Sequence, residues 1–577
     1  MNCRTATSLA AYGLLFAPLT SLACGGGSSS SGTDDATDVT ATTETSAGPG
    51  GPDTGDSSIT DDTGDTGDTT EVEPAPAGLR RVLSHQYVAS VELLLGAQAA
   101  AVADPPNDPS LGGFDVVAAA ELSLSPSDVE QYERSANAIA RATILAPQRL
   151  AQTVPCVAEA DPADACFTDL ARDFGRLAWR RPLTNLELAT YAGVGVAAKQ
   201  WDGGTFMTGV QYLLVAMLQS PRFLYIVELG TLPDDGGPRA LTQHELAARL
   251  SFFLAGRTPD AVLLDRADAG TLDEAGLREA AWALLDEPGA RDVVARFYDE
   301  LLTIRGLRQK GKDPELFPSF GPELAASMRE ETQRLIADIV FEQDGDVLDL
   351  IDSEYTWVDA NLAALYGVAA PPAGQWAQFE LPAEQRRAGI LTHAGVLAMF
   401  AHGELNSPTR RGLFVQEHLL CTPVPPTPPD VNPTLPDTSE PMTLRQRLEE
   451  THLEVDSCAG CHLQMDPIGF AYEHFDPIGA YRTTDNGFPI DSAAEDPTLG
   501  GFADAAELAA LVRDDPRLPR CLVDQVYTSA LGFRQTPMQM SALDDIGESF
   551  VSTDHNMRAL LVEIATSPLF RFVDEPK

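Results

Sequence analysis

Three catalytic signatures are missing from the 577 residues: there is no G-x-S-x-G elbow, no H-E-x-x-H helix and no Walker loop. The serine-hydrolase, zinc-protease and P-loop chemistries built on them therefore have no residues to carry them. Positive charge is also short. Against 85 Asp and Glu stand 39 Lys and Arg, a formal charge of −46. Nucleic acid and an anionic membrane face would be repelled by such a chain, and a basic partner, or simple solubility, fits better. Apolar runs are few: residues 9–22 form one, too short to span a bilayer, and no second run follows. Strand-like alternation is rare. Cysteine is sparse, with 8 in the chain.

What is present begins with an export pattern over residues 1–24. Arg4 supplies the positive end, residues 9–22 the apolar core, and Leu22-Ala23-Cys24-Gly25 a small-residue exit. Cys24 resembles the lipidated cysteine of a bacterial lipoprotein, although Ser21 stands where leucine is usual; ordinary signal cleavage is the alternative. The expected location is the periplasm or outer membrane of a Gram-negative bacterium, with a lipid as the sole membrane anchor. Residues 25–78 are Thr, Asp, Ser, Gly and Pro, including Asp61-Asp62-Thr63-Gly64-Asp65-Thr66-Gly67-Asp68. Such a stretch buries too little apolar surface to offset its ordering entropy, and is expected to be a disordered acidic linker. Its aspartates lack the spacing of a calcium loop.

From Leu79 onward the apolar residues recur at helical spacing. Helices are expected over 84–96, 127–145, 167–179, 185–198, 206–218, 272–285, 290–302, 322–341, 360–366, 391–399, 444–453, 505–512 and 519–531. Capping boxes are read at Thr184/Glu187 and Thr242/Glu245, and Ser84 is read as a cap. The fold class is mainly α: a multi-helix array with few strands and a small unit towards the C-terminus. The expected units are 79–150, 151–230 (with a Cys156–Cys166 loop), a central 231–365, then 366–490, and 491–577. Pro423-Val424-Pro425-Pro426-Thr427-Pro428-Pro429 reads as a rigid connector.

Within 366–490 stands Cys458-Ala459-Gly460-Cys461-His462, and from it that unit is read as a small c-type cytochrome-like haem domain. C-x-x-C-H is the attachment pattern of a c-type haem: Cys458 and Cys461 form the thioethers, and His462 is the proximal metal ligand. Chance would supply about 0.002 such patterns in a chain of this composition. A thioredoxin-like dithiol lacks its βαβ context here, and zinc would need further ligands, with His452 and His474 only irregularly spaced. With Cys3 lost, Cys24 acylated and Cys458 and Cys461 on haem, four thiols remain; Cys156 and Cys166 bracket a short loop and are expected to pair, which leaves Cys421 for Cys521.

The sequence around the motif resembles the planctomycete-type cytochrome c domain. The resemblance rests on Cys458 to His462, Met465-Asp466-Pro467-Ile468-Gly469-Phe470, Glu473-His474-Phe475-Asp476-Pro477-Ile478-Gly479 and Tyr481-Arg482. Residues 174–184, 218–225 and 241–254, with Arg80-Arg81 and Leu531-Gly532-Phe533-Arg534, are similar to the domains of unknown function that accompany that cytochrome. The resemblance implies architecture and one covalent haem c; it implies no reaction for the accompanying domains.

The two D-P-I-G phrases, 466–469 and 476–479, both read as turns that wrap the chain around a porphyrin. Phe470, with Tyr472, Phe475 and Tyr481, is a candidate apolar wall, and Arg482 a candidate partner for a haem propionate. His452, His474, Met538 and Met540 are candidate distal ligands; Met465 lies too close to His462 in sequence to reach the opposite face. His393, His402 and His418 flank Ser407 to Gly412 and read first as ordinary polar residues. The function that follows is that of an exported mono-haem electron carrier. Two alternatives are an oxidoreductase on an exported substrate and a surface scaffold stapled by haem.

Overall fold

The computed structural model describes residues 73–201, 203–233, 237–426 and 441–576. The expected export segment, Cys24, most of the acidic linker and residues 427–429 of the proline connector lie outside the described residues. What is described is mainly helical, with five two-stranded antiparallel sheets. Among the described residues no helix is long and apolar enough to cross a membrane.

Helices Ser84–Leu95, Pro126–Leu145, Ala165–Trp179, Asn185–Lys199 and Phe206–Leu218 form because their apolar residues fall on one stripe. Those stripes meet in one core containing Tyr87, Tyr132, Phe167, Phe174 and Leu213. Strand Gly78–Arg81 pairs antiparallel with Tyr225–Glu228, from Gly78 opposite Glu228 to Arg81 opposite Tyr225. Segments 79–150 and 151–230, expected as separate units, therefore share a core and a sheet. The capping boxes at Thr184 and Thr242 form. Ser84 instead is the first helical residue, its amide satisfied by Asp108 Oδ2 at 2.7 Å.

The remaining units share a core as well. One core runs from Leu250, Phe253, Leu277 and Val294 to Val523, Tyr527, Leu560 and Phe570, joining 231–365 to 491–577. Strand Arg239–Ala240 pairs with Phe572–Val573. Helices Met540–Ser552 and Met557–Thr566, absent from the sequence reading, close this core. At the junction Glu228 is buried between Arg249 Nε, at 2.8 Å, and Arg80 Nη2, at 3.3 Å. Arg249 also donates to the Phe570 carbonyl at 2.6 Å, and Arg80 to that of Ala530 at 3.3 Å. A buried charge needs partners of this kind, and here they come from four distant stretches. The array cannot separate into beads without stranding them.

Disulfides join Cys156 to Cys166 and Cys421 to Cys521. Replacing Cys156 and Cys166 together by alanine is expected to cost about 2–3 kcal/mol through the freed short loop. Chemical denaturation under non-reducing conditions reads this as a lower midpoint with an almost unchanged slope; an unchanged midpoint would show that the bridge constrains nothing.

Candidate functional site

The motif lies on helix Asp456–His462, which follows helix Leu444–Leu448 and the π-helical turn Glu449–Leu453. Cys458, Cys461 and His462 occupy positions i, i+3 and i+4, so one face of the helix carries all three. Both cysteines are half-buried and neither is in a disulfide. Beside them Val455 and Leu463 are 41% and 44% exposed, and a Cβ added at Gly460 would meet nothing within 4 Å. The motif thus borders open space with apolar surface at its rim.

The next short helix, Asp466–Phe470, begins with the first D-P-I-G phrase. It crosses helix Pro408–Phe414 at two glycines: a Cβ on Gly412 would lie 1.8 Å from the Met465 carbonyl oxygen, and one on Gly469 would lie 2.0 Å from that of Pro408. This backbone-to-backbone approach delivers Thr409 Oγ1 to Asp466 Oδ1 at 2.6 Å. Asp466 Oδ2 is met by His462 Nδ1 at 3.0 Å and by His452 Nδ1 at 3.1 Å. The side chain of Asp466 is 0% exposed. Burial pushes its acid up, but the bonds from His452, His462 and Thr409 outweigh it and hold the carboxyl below its ordinary value. An ionised carboxylate only accepts, so both histidines present Nδ1–H to it, and Nε2 is the ring atom that does not face Asp466. His452, His462 and Asp466 are also the one group among the described residues with spacing suited to a metal ion.

The other sequence candidates are placed less centrally. The His452 and His462 ring centres are 3.8 Å apart. Ligands on opposite faces of one metal have nitrogens about 4 Å apart and ring centres farther still; His452 is a same-side partner in this arrangement. His474 Nδ1 bonds the Arg482 carbonyl at 2.9 Å and its ring stacks on Tyr481. Met538 and Met540 are exposed near the start of helix Met540–Ser552. Phe470 is buried with Leu444 and Leu448, under the Arg445 guanidinium, and so forms core behind the motif helix. Arg482 is engaged by Asp485 Oδ1 at 2.7 Å and Glu473 Oε2 at 3.1 Å, which leaves its fork to the protein itself.

Two D-P-I-G phrases fold in two ways. The second is the expected turn: Asp476 Oδ1 accepts from the Ile478 and Ala480 amides at 2.9 Å, and Gly479, at φ +81°, abuts Ala394. The first is a helix whose aspartate serves other chains of contact. Arg411, from the cluster read as ordinary, is buried and donates to the carbonyls of Tyr472, Phe475 and Asp476 at 3.0 Å each. It staples the stretch between the phrases. His393, His402 and His418 do not gather there: His393 is buried against Thr332 and Thr356, His402 accepts from Lys312 through its carbonyl, and His418 bonds the Leu301 carbonyl.

Sequence reasoning also missed a cavity of about 540 Å³ lined by Phe114, Glu300, Glu417, His418, Asp524 and Arg534 among others. Its walls come from four separated stretches, so no local pattern announces it. Burial, with Asp115 nearby, pushes Glu300 up to about 7, and burial raises Asp524.

Five family models match in succession, each described as a protein of unknown function: DUF1587 over residues 80–145, DUF1595 over 166–228, DUF1592 over 241–368, DUF1588 over 387–485 and DUF1585 over 500–570. They form the array associated with planctomycete-type cytochromes c, and the DUF1588 stretch holds the C-x-x-C-H motif. No curated protein and no solved structure matches the chain.

Proposed function

We propose that this chain, which carries the array that accompanies planctomycete-type cytochromes c, is itself an exported mono-haem c-type cytochrome protein that passes single electrons. The observation that carries this reading is the motif helix: two cysteines outside any disulfide and a histidine share one face, and Asp466 engages His462 through Nδ1, so that Nε2 is the ring nitrogen left for a metal. The residues fit the group. Cys458 and Cys461 would hold the porphyrin edge, His462 the iron, and the exposed Val455 and Leu463 offer apolar surface beside them. When bound, the haem supplies a one-electron couple. The two disulfides support an oxidising compartment, and the acidic charge supports a basic electron partner.

The test is expression of the exported form in a host with cytochrome c maturation. One haem that survives denaturation is expected per chain, lost when Cys458 and Cys461 are both replaced by alanine. No covalent haem would end the reading; zinc held through His452, His462 and Asp466 would replace it. A second reading, an oxidoreductase on an exported substrate, is supported by the junction cavity with its protonatable Glu300 and Asp524. Carbon monoxide separates the two: reduced protein that ignores it is a six-coordinate carrier, and protein that binds it has the open site an enzyme requires.

A further inference from the structure

Asp466 differs from its twin in the second D-P-I-G phrase. Asp476 spends its carboxylate on the amides of its own turn. Asp466 is fully buried and receives three side-chain donors, Thr409 on Oδ1 and His462 and His452 together on Oδ2. Thr409 lies 57 positions away and arrives only because Gly412 and Gly469 let two helices touch backbone to backbone. A buried carboxylate costs several kcal/mol unless compensated, so a turn aspartate has no reason to sit here. A carboxylate behind a metal-binding histidine has one: it fixes the ring and its tautomer and raises the basicity of the other nitrogen.

We infer that Asp466 is the positioning residue of this centre, holding the Nδ1 proton of His462 so that His462 binds as a strongly basic, partly anionic ligand, with Thr409 and His452 setting how much of the carboxylate's charge reaches it. The inference rests on the haem reading above. Its consequence is a lowered reduction potential, because an electron-rich ligand favours the oxidised metal. Thr409 and His452 compete with His462 for the same carboxylate. Removing Asp466 and removing its competitors must therefore act in opposite directions, which a purely structural role does not produce.

The experiment uses the holoprotein, with midpoint potentials from spectroelectrochemistry and the g values of the oxidised protein from electron paramagnetic resonance. Asp466→Asn keeps an acceptor but removes the charge; it is expected to raise the reduction equilibrium constant at least tenfold, about 59 mV for one electron, and to shift the g values. Thr409→Val is expected to move both readouts the other way, as is His452→Phe, and Asp466→Glu to restore part of the wild-type value. Wild-type protein without haem would defeat the underlying reading. Loaded variants whose potentials and g values match wild type, or that all move in one direction, would overturn the inference and leave that reading standing. Should Asp466→Asn fail to accumulate, Thr409→Val and His452→Phe decide by their sign alone.

Discussion

Replacing Glu331 by glutamine is expected to make the protein more stable than wild type at pH 8.5, by an amount of the order of 4 kcal/mol, while changing little at pH 5. Glu331 sits in the middle of helix Pro322–Ala337 with 0% exposure. Its oxygens accept from Tyr366 Oη, at 2.8 and 2.9 Å, and from Thr356 Oγ1, at 2.9 Å. Thr356 in turn meets His393 Nε2 at 3.1 Å, and Thr332 meets His393 Nδ1 at 2.9 Å. Arg387 is the nearby cation, but its donors go to the carbonyls of Gly479, at 2.6 Å, and Thr392, at 2.8 Å. Burial, only partly offset by these bonds, pushes the Glu331 acid up to about 8 from an ordinary 4.5.

The sign follows from proton counting. A carboxyl raised on folding binds its proton more tightly in the folded state, so its contribution is fully present below pH 4.5 and is lost as pH rises through about 8. Glutamine mimics the protonated acid and removes that loss. His393 slopes the other way: burial, then Arg387, lowers it from 6.5 to about 3, so its contribution is present above 6.5 and lost as pH falls towards 3. Between pH 4.5 and 6.5 the two offset each other, and above 6.5 Glu331 acts alone of this pair. Denaturant midpoints of wild type and Glu331→Gln from pH 5 to 9 measure the difference directly. A variant weaker than wild type by the same amount at every pH would show that Glu331 is ionised in the fold.

Alanine at Gly469 and alanine at Gly460 are expected to differ in sign, although both glycines lie in short helices of the motif segment. At Gly469 the new Cβ would fall 2.0 Å from the Pro408 carbonyl oxygen, with the carbonyl carbon and Cα of Pro408 close behind. Backbone cannot rotate out of the way as a flexible side chain does, so the two helices must part, at a cost of about 3 kcal/mol or more. Their separation would also withdraw Thr409 from Asp466. At Gly460 nothing lies within 4 Å, and alanine is expected to be neutral or to stabilise by up to about 1 kcal/mol through helix propensity. Thermal unfolding of the two variants checks this; equal shifts would mean that the helix crossing tolerates separation.

The sequence by itself determined the features whose causes are local. Most helix positions follow from apolar spacing, Met540–Ser552 and Met557–Thr566 excepted, and Thr184 and Thr242 cap because the answering glutamate is three residues away on the same turn. C-x-x-C-H is local for the same reason, and the disulfide partners followed from the short loop between Cys156 and Cys166, which left Cys421 for Cys521. Only the tertiary structure decided what depends on a partner far along the chain. The two D-P-I-G phrases are the clearest instance: the four residues are the same, yet one is a helix whose aspartate faces Thr409, His452 and His462, and the other a turn with its glycine against Ala394. The merging of expected domains into common cores, the burial of Glu331 and the cavity beside Glu300 likewise come from surfaces that meet only on folding. Periodicity shows that a residue faces inward; the long-range packing contact decides what it faces, and that sets whether a carboxylate closes a turn, stores a proton or anchors two histidine rings.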